Sequence, residues 1–443
     1  MNTSLKLSVA LAAMLALGGC NALKGPKKTP TLGERVPILV SEGGAEADKT
    51  IAEVQVLLPP PAANDAWTQP GGDPAKSMGH LALAAAPQRL WTAHIRGGTP
   101  KMRLGAAPVV AEGKLFVVDV NATVQAFDAN TGRKLWSSEI YADKKNRQSR
   151  FGGGVSYDDG KLFATDGLGD LVAMSAADGK ILWRTRPAGP QGGPLRGSPT
   201  VANGSIYALS QDNQLFAVSQ DSGTVQWTVS GSLESQGVFG VAAPASGRGT
   251  IVAGFSSGEL NAYRYENGRT LWQDTLSRTT ITTSVSSLAD IDASPVIDQS
   301  RVYAVGQGGR MVALELTTGQ RLWEQNIAGI STPWIAGEWL FVTSDDGRLI
   351  CLSRANGKIR WIANIGGFRN MKKRTSPIYW SGPVLAGGRL VVVNSRGEIV
   401  SVAAATGEIG AKIKGNAPFS LPPIVANNTL YTLDSRGRIS AYR

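Results

Sequence analysis

One unit of about 45 residues recurs from residue 87 to the C-terminus, and this recurrence limits the fold more than any other feature of the 443-residue chain. Each unit has a small residue and a proline, an apolar pair, a glycine turn and an alternating apolar strand. A Gly/Asn/Asp turn, another strand, a second glycine turn and a strand ending in tryptophan follow. The first copy reads Ala107-Pro108-Val109-Val110, Gly113, Leu115–Val118, Val124–Phe127, Thr131-Gly132 and Leu135-Trp136. The closing tryptophans are Trp136, Trp183, Trp227, Trp272, Trp323 and Trp361, spaced by 47, 44, 45, 51 and 38, and the seventh copy has Gly410 at that position. The turn glycine recurs as Gly132, Gly179, Gly223, Gly268, Gly319, Gly357 and Gly407. Its neighbours are Asn, Asp, Ser or Thr, which points to a tight hairpin holding one residue at positive φ.

Four short strands per unit, repeated around a ring, predict an all-β chain folded as a β-propeller. One four-stranded blade is too small to bury both its faces, so the repeated tryptophan is expected to pack between blades. An eighth copy starts at Pro422-Pro423 and ends at Arg443 after three strands. Its fourth strand lies at the other end of the repeats, where Gln88-Arg89-Leu90-Trp91 matches Arg133-Lys134-Leu135-Trp136. The expected architecture is therefore an eight-bladed propeller over 87–443, closed by an N-terminal strand that completes the last blade. Length alone would suggest two to four domains; the repeat reduces them to one. It also accounts for the 53 glycines without any phosphate-binding loop.

Residues 1–19 read as a secretory leader: Lys6, an apolar run from Leu7 to Leu17 too short to span a bilayer, then small residues. Leu17-Gly18-Gly19-Cys20 looks like a bacterial lipobox, which makes Cys20 the lipid attachment point and 20–86 a lipidated tether and lead-in. Asn21 after it favours, by resemblance to bacterial lipoproteins, sorting to the outer membrane. Residues 21–65 are rich in Pro, Gly, Ala and charge, with short extended pieces expected at Val36–Val40 and Glu53–Leu58. Trp67 and the turn Gln69-Pro70-Gly71-Gly72 are expected to lie against the ring. Two cysteines and two histidines leave no room for a disulfide framework, a multi-cysteine zinc site or a c-type haem motif. The +11 net charge keeps acidic or phosphate-bearing partners in view. Two basic runs carry part of it, Lys144-Lys145-Asn146-Arg147 with Arg150, and Arg369 with Lys372-Lys373-Arg374. Neither has interleaved aromatics, and nucleic acid is not an expected partner.

The run from Ala129 through Thr131-Gly132 to Trp136, with its copies around the ring, resembles the pyrroloquinoline-quinone propeller repeat. Two families share that repeat, the quinoprotein dehydrogenases and the non-enzymatic BamB lipoproteins of outer-membrane β-barrel assembly. The first family carries adjacent cysteines over its cofactor, a calcium–quinone cluster of oxygen ligands, and large covering insertions. Here Cys351 sits in an alternating strand, where a buried thiol is expected, and acidic pairs such as Asp158-Asp159 and Asp345-Asp346 fall at turns. His80 and His94 are not placed as bases, and the ring is nearly bare. The BamB resemblance is favoured: it implies no enzyme and no cofactor. A quinoprotein dehydrogenase and a generic peptide- or sugar-binding propeller are the alternatives.

The most specific match is Leu288-Ala289-Asp290-Ile291-Asp292-Ala293-Ser294-Pro295, similar to the family's L-x-D-V-D-x-x-P segment. The resemblance implies that Asp290 and Asp292, with Leu288, dock on the periplasmic POTRA domains of a BamA-type barrel subunit. The family's second contact segment, of L-x-L-R-G type, would fall one blade earlier, at Gln236-Gly237-Val238-Phe239-Gly240, where Phe239 stands for the arginine. Val238 and Phe239 would then act as an apolar anchor. Unfolded barrel precursors are the implied clients, and the outer membrane, with the propeller in the periplasm, the implied location. Loop lengths agree: from the repeat tryptophan to the next inner strand, Trp323 to Thr332 is 9 residues, Trp272 to Ser294 is 22 and Trp361 to Gly382 is 21. Long variable loops on a rigid scaffold are where binding concentrates.

Overall fold

A computed structural model describes residues 45–99, 102–141, 152–232, 241–276, 290–370 and 372–443. Eight four-stranded antiparallel sheets follow one another along the chain, each running from an inner strand outward. Blade 1 comprises Val109–Ala111, Lys114–Val118, Thr123–Asp128 and Lys134–Glu139. Blade 8 takes Ile424–Ala426, Thr429–Leu433 and Arg438–Tyr442 from the C-terminus, and its outer strand is Arg89–His94. The closure is pinned at the broken hairpin, where Gln88 and Arg443 exchange both backbone hydrogen bonds, at 2.6 and 2.9 Å. The eight-bladed ring and its N-terminal closing strand are as the repeat predicted.

The register explains the repeat's residues. Across most blades one row reads aromatic, small, tryptophan: Phe116–Ala126–Trp136, Phe163–Ala173–Trp183, Tyr207–Ala217–Trp227, Tyr303–Ala313–Trp323. Cys351 occupies the small position in Phe341–Cys351–Trp361, and burial pushes its thiol well above the ordinary range. It is a core thiol, not a redox group. Each indole then reaches the next blade. Trp323 Nε1 donates to Arg354 O at 3.0 Å, and its ring covers Gly357, where a Cβ would stand 2.6 Å from the ring. Gly357 has φ +71°, so backbone conformation and indole contact both demand glycine there.

The seventh blade departs from the expectation at Gly410. There Val400 pairs with Lys412 and Val402 with Ile409, so Gly410 falls in the bulge and Ala411 stands at the tryptophan position. In the six units that carry the tryptophan it stands four residues after the turn glycine, and four residues after Gly407 is Ala411, so the repeat spacing itself marks Ala411.

Residues 45–87 are not a free tether. Asp48 N–H donates to Ile359 O at 2.8 Å and Arg360 Nε to Val54 O at 2.6 Å, along the outer strand of blade 6. Glu53–Leu58, expected to be a short extended piece, forms no strand. The segment then bonds the inner edge of every blade in turn. Asn64 Nδ2 donates to Val425 O, Trp67 exchanges both backbone bonds with Val110, and Tyr157 N–H donates to Thr68 O. Gln69 pairs through its side-chain amide with Val201, while Pro74 O accepts from Ser246, Ala75 O from Ile297 and Gly79 O from Trp334 Nε1. Leu81 pairs with Leu385 and Gly387. Inner strands present unpaired N–H and C=O groups to the central channel, and this inner loop satisfies them.

Lys76 within that loop is buried, with Nζ donating to Thr200 Oγ1 at 3.0 Å, and burial pulls its amine down to about 7. The unfolded chain keeps this proton up to the ordinary value near 10.5, so the group's contribution to stability rises with pH across that interval. Lys76→Met is expected to stabilise the protein near pH 6 by about 2 kcal/mol. Urea unfolding of both proteins at pH 6 and pH 10 checks this: the gap between them should narrow at the higher pH.

Candidate functional site

In an antiparallel blade the turn between the second and third strands and the connection from the outer strand to the next blade share one face of the ring. Most of these second-to-third turns close on a side-chain oxygen. Asp119 Oδ1 accepts from the backbone N–H groups of Asn121 and Thr123, Asp434 Oδ1 from those of Arg436 and Arg438, and Asn394 Oδ1 from those of Arg396 and Glu398. The turn acids on this face are mostly occupied in this way.

Asp290 and Asp292 lie on the same face, in the connection from blade 4 to blade 5, and their segment is clamped. Ile291 N–H donates to Phe255 O at 3.2 Å, Gln307 N–H to Asp290 O at 2.9 Å, and Ser294 N–H to Thr332 Oγ1 at 3.2 Å. Asp290 is 1% exposed, whereas Asp292 is half-buried. The two acids suggested by the sequence are therefore unequal: only Asp292 has surface to offer a partner.

Arg196, not anticipated from the sequence, is their counter-charge. It is 3% exposed in the connection from blade 2 to blade 3, and its Nη2 donates to Asn213 Oδ1 at 3.0 Å and Ser256 Oγ at 2.6 Å, joining the turns of blades 3 and 4. Its Nε and Nη1 have no hydrogen-bond partner among the described residues. Burial lowers the guanidinium's pKa and the charges of Asp292 and Asp290 oppose that. For Asp292, burial and then the charge of Asp290 push the carboxyl up to about 7, against the pull of Arg196. A signal was available: Leu195-Arg196-Gly197 carries the L-R-G core of the second contact segment, one blade before the expected place. Around this charged group, Val241 and Ile330 are exposed apolar side chains on neighbouring connections. A half-buried acid of adjustable charge with apolar neighbours suits a protein interface.

Leu288, Gln236, Val238, Phe239 and Cys20 lie outside the described residues, as do Val36–Val40 and the basic run 144–150. The second basic run lies on an exposed hairpin, Phe368–Asn370 paired with Thr375–Pro377, where Arg374 lies over the Phe368 ring at 5.8 Å. His80 serves the inner loop: its Nδ1–H donates to Pro59 O at 2.7 Å and its Nε2 accepts from Gly388 N–H at 2.8 Å. Among the described residues no three His, Cys, Asp or Glu side chains stand together as metal ligands.

The family profile described as outer membrane protein assembly factor BamB matches residues 88–145, 120–363 and 369–443. The assembly factor BamB of Vibrio cholerae is 31% identical over 259 residues, which is 58% of this chain and 65% of the relative. That of Yersinia pestis is 25% identical over 250 residues, 56% of this chain and 63% of the relative. This chain thus spans less than two thirds of the length of either relative. BamB of Moraxella catarrhalis superposes with a TM-score of 0.68 at 16% identity, over 81% of this chain and 99% of that structure. The quinohemoprotein alcohol dehydrogenase of Comamonas testosteroni also reaches 0.68, at 14% identity, over 86% of this chain and 81% of that one. The two superpositions show the propeller fold and do not separate the functions.

Proposed function

The chain belongs to the BamB family of outer-membrane protein assembly factors, and from that premise we propose that it is a non-enzymatic scaffold of the assembly machinery. It docks on the BamA-type barrel subunit through the face that carries Asp292 and aids the folding and insertion of β-barrel precursors. The observation that carries the reading is the family match over nearly the whole ring, 88–363 and 369–443. The clamped Asp290–Ser294 segment supports it physically: a contact held by backbone hydrogen bonds to two blades loses little freedom on binding. Asp292 makes the outward contact, Asp290 and Arg196 position it, and Leu288, Val238, Phe239 and Gln236 are the further contacts of this reading.

In this reading Cys20 carries the acyl chains that hold the protein at the outer membrane, with the propeller in the periplasm. Cys20→Ser is expected to move the protein from the membrane pellet to the soluble periplasmic fraction, since more than one acyl chain makes such anchoring stable. Fractionation followed by immunoblotting reads this directly, and a variant still in the pellet counts against lipidation. Co-purification of the barrel subunit from detergent-solubilised outer membranes tests the docking itself.

A further inference from the structure

Seven indoles seal the slots between successive blades, from Trp91 on blade 8, whose Nε1 donates to Ala129 O, to Trp361 on blade 6, whose Nε1 donates to Ala404 O. The slot between blades 7 and 8 has none. The row that elsewhere holds tryptophan ends here in Ser401 and Ala411, with Val391 at the aromatic position. The turn that an indole would cover is also absent, because the third strand of blade 8, Arg438–Tyr442, pairs with the separately entering Arg89–His94 instead of turning into an outer strand of its own. A groove of about 460 Å³ remains, lined by Val391, Ser401, Ala411, Ile413 and Leu430 with Pro87 opposite. A second hollow of about 290 Å³ continues it past Ile413 toward Tyr442.

We propose that this seam takes an aromatic side chain of an extended, acidic segment of another polypeptide. Three features define the occupant. The slot stands where an indole lies in the other seven, and Val391, Ala411, Ile413 and Leu430 give it apolar walls for an aromatic ring. Beside it runs Ile409–Lys414, the edge strand of its sheet and exposed at five of its six residues, which offers backbone groups to an added strand. Charge supplies the third: Arg89, Arg389, Lys414 and Arg438 line the two hollows against Glu408 and Asp434, and Asp434 Oδ1 is already engaged by two backbone N–H groups. Acidic residues flanking the aromatic ring would meet the cationic walls. The inference deepens the proposed function by naming what a client segment presents, and it rests on that reading only for the segment's source.

The test uses purified protein with no barrel subunit present, so its failure leaves the docking reading untouched. The probe is a fluorescein-labelled heptapeptide with a central tryptophan between valines and aspartates, alongside the same peptide with alanine at the centre. In fluorescence anisotropy the tryptophan peptide should bind at least tenfold more tightly than its alanine counterpart. Ala411→Trp, which puts the missing indole in place, should abolish that preference, and Lys414→Glu on the exposed rim should weaken binding at low salt. Equal binding of the two peptides, or an undiminished preference in Ala411→Trp, overturns the proposal. So does sedimentation showing that the wild-type protein dimerises and the Ala411→Trp protein does not, because the seam would then hold a second copy of this chain.

Discussion

Trp323→Ala is expected to lower the unfolding free energy by about 3–5 kcal/mol, the range for removing a buried tryptophan. Three contacts are lost together. The indole is buried against Tyr303 with ring centroids 6.0 Å apart, covers Gly357 of the next blade, and satisfies Arg354 O through Nε1. Removing it opens a cavity between two blades and leaves that carbonyl without the indole donor. Gly357→Val should approach the same loss from the other side, because a side chain at φ +71° is strained and would displace the ring. Urea denaturation followed by tryptophan fluorescence and circular dichroism reads both variants. A loss below 1 kcal/mol in each would mean that the blades do not depend on this contact.

The second large effect falls on docking. Asp292→Asn keeps the side chain's shape and removes its charge, so capture of the barrel subunit is expected to fall at least tenfold while the fold is retained. Asp290→Asn should behave differently: at 1% exposure it acts through Arg196 and the clamped segment, so its cost should appear in stability as well as in capture. The pH dependence follows from the Asp292 carboxyl, pushed up to about 7. A carboxyl raised in the folded state is protonated below that value, so its contribution to stability is present at low pH and fades as pH rises toward 7. Capture through its anion runs the opposite way, strengthening between pH 6 and 8, and Asp292→Asn should flatten that rise. The same measurement on Arg196→Gln separates positioning from contact, because Asp292 then loses its counter-charge without losing its carboxylate.

The ring was legible because its determinants are side chains at fixed spacing. Tryptophan and turn glycine recur four residues apart, and the Gln88–Trp91 match to Arg133–Trp136 identified the closing strand. The inner loop was not legible. It holds the eight inner strands largely through backbone groups of a Pro-, Gly- and Ala-containing segment, and backbone pairing leaves no periodic trace in composition. The Gly410 assignment missed by one residue a position that the four-residue spacing from Gly407 places at Ala411. At the candidate site, the placement of Asp290 and Asp292 in an inter-blade connection followed from the repeat. Their unequal burial did not, since it depends on which blade turns clamp the segment. Arg196 was missed because the arginine was sought one blade before the aspartates, and it reaches them from two blades before.

The most direct measurement is co-purification of the barrel subunit with this protein from solubilised outer membranes, comparing wild type with Asp292→Asn at pH 8. The scaffold account predicts that the wild-type protein recovers the subunit and that the variant, equally abundant and folded, recovers at least tenfold less. Failure of the wild-type protein to recover the subunit would contradict the assembly role, and equal recovery by both proteins would contradict the docking face assigned to Asp292.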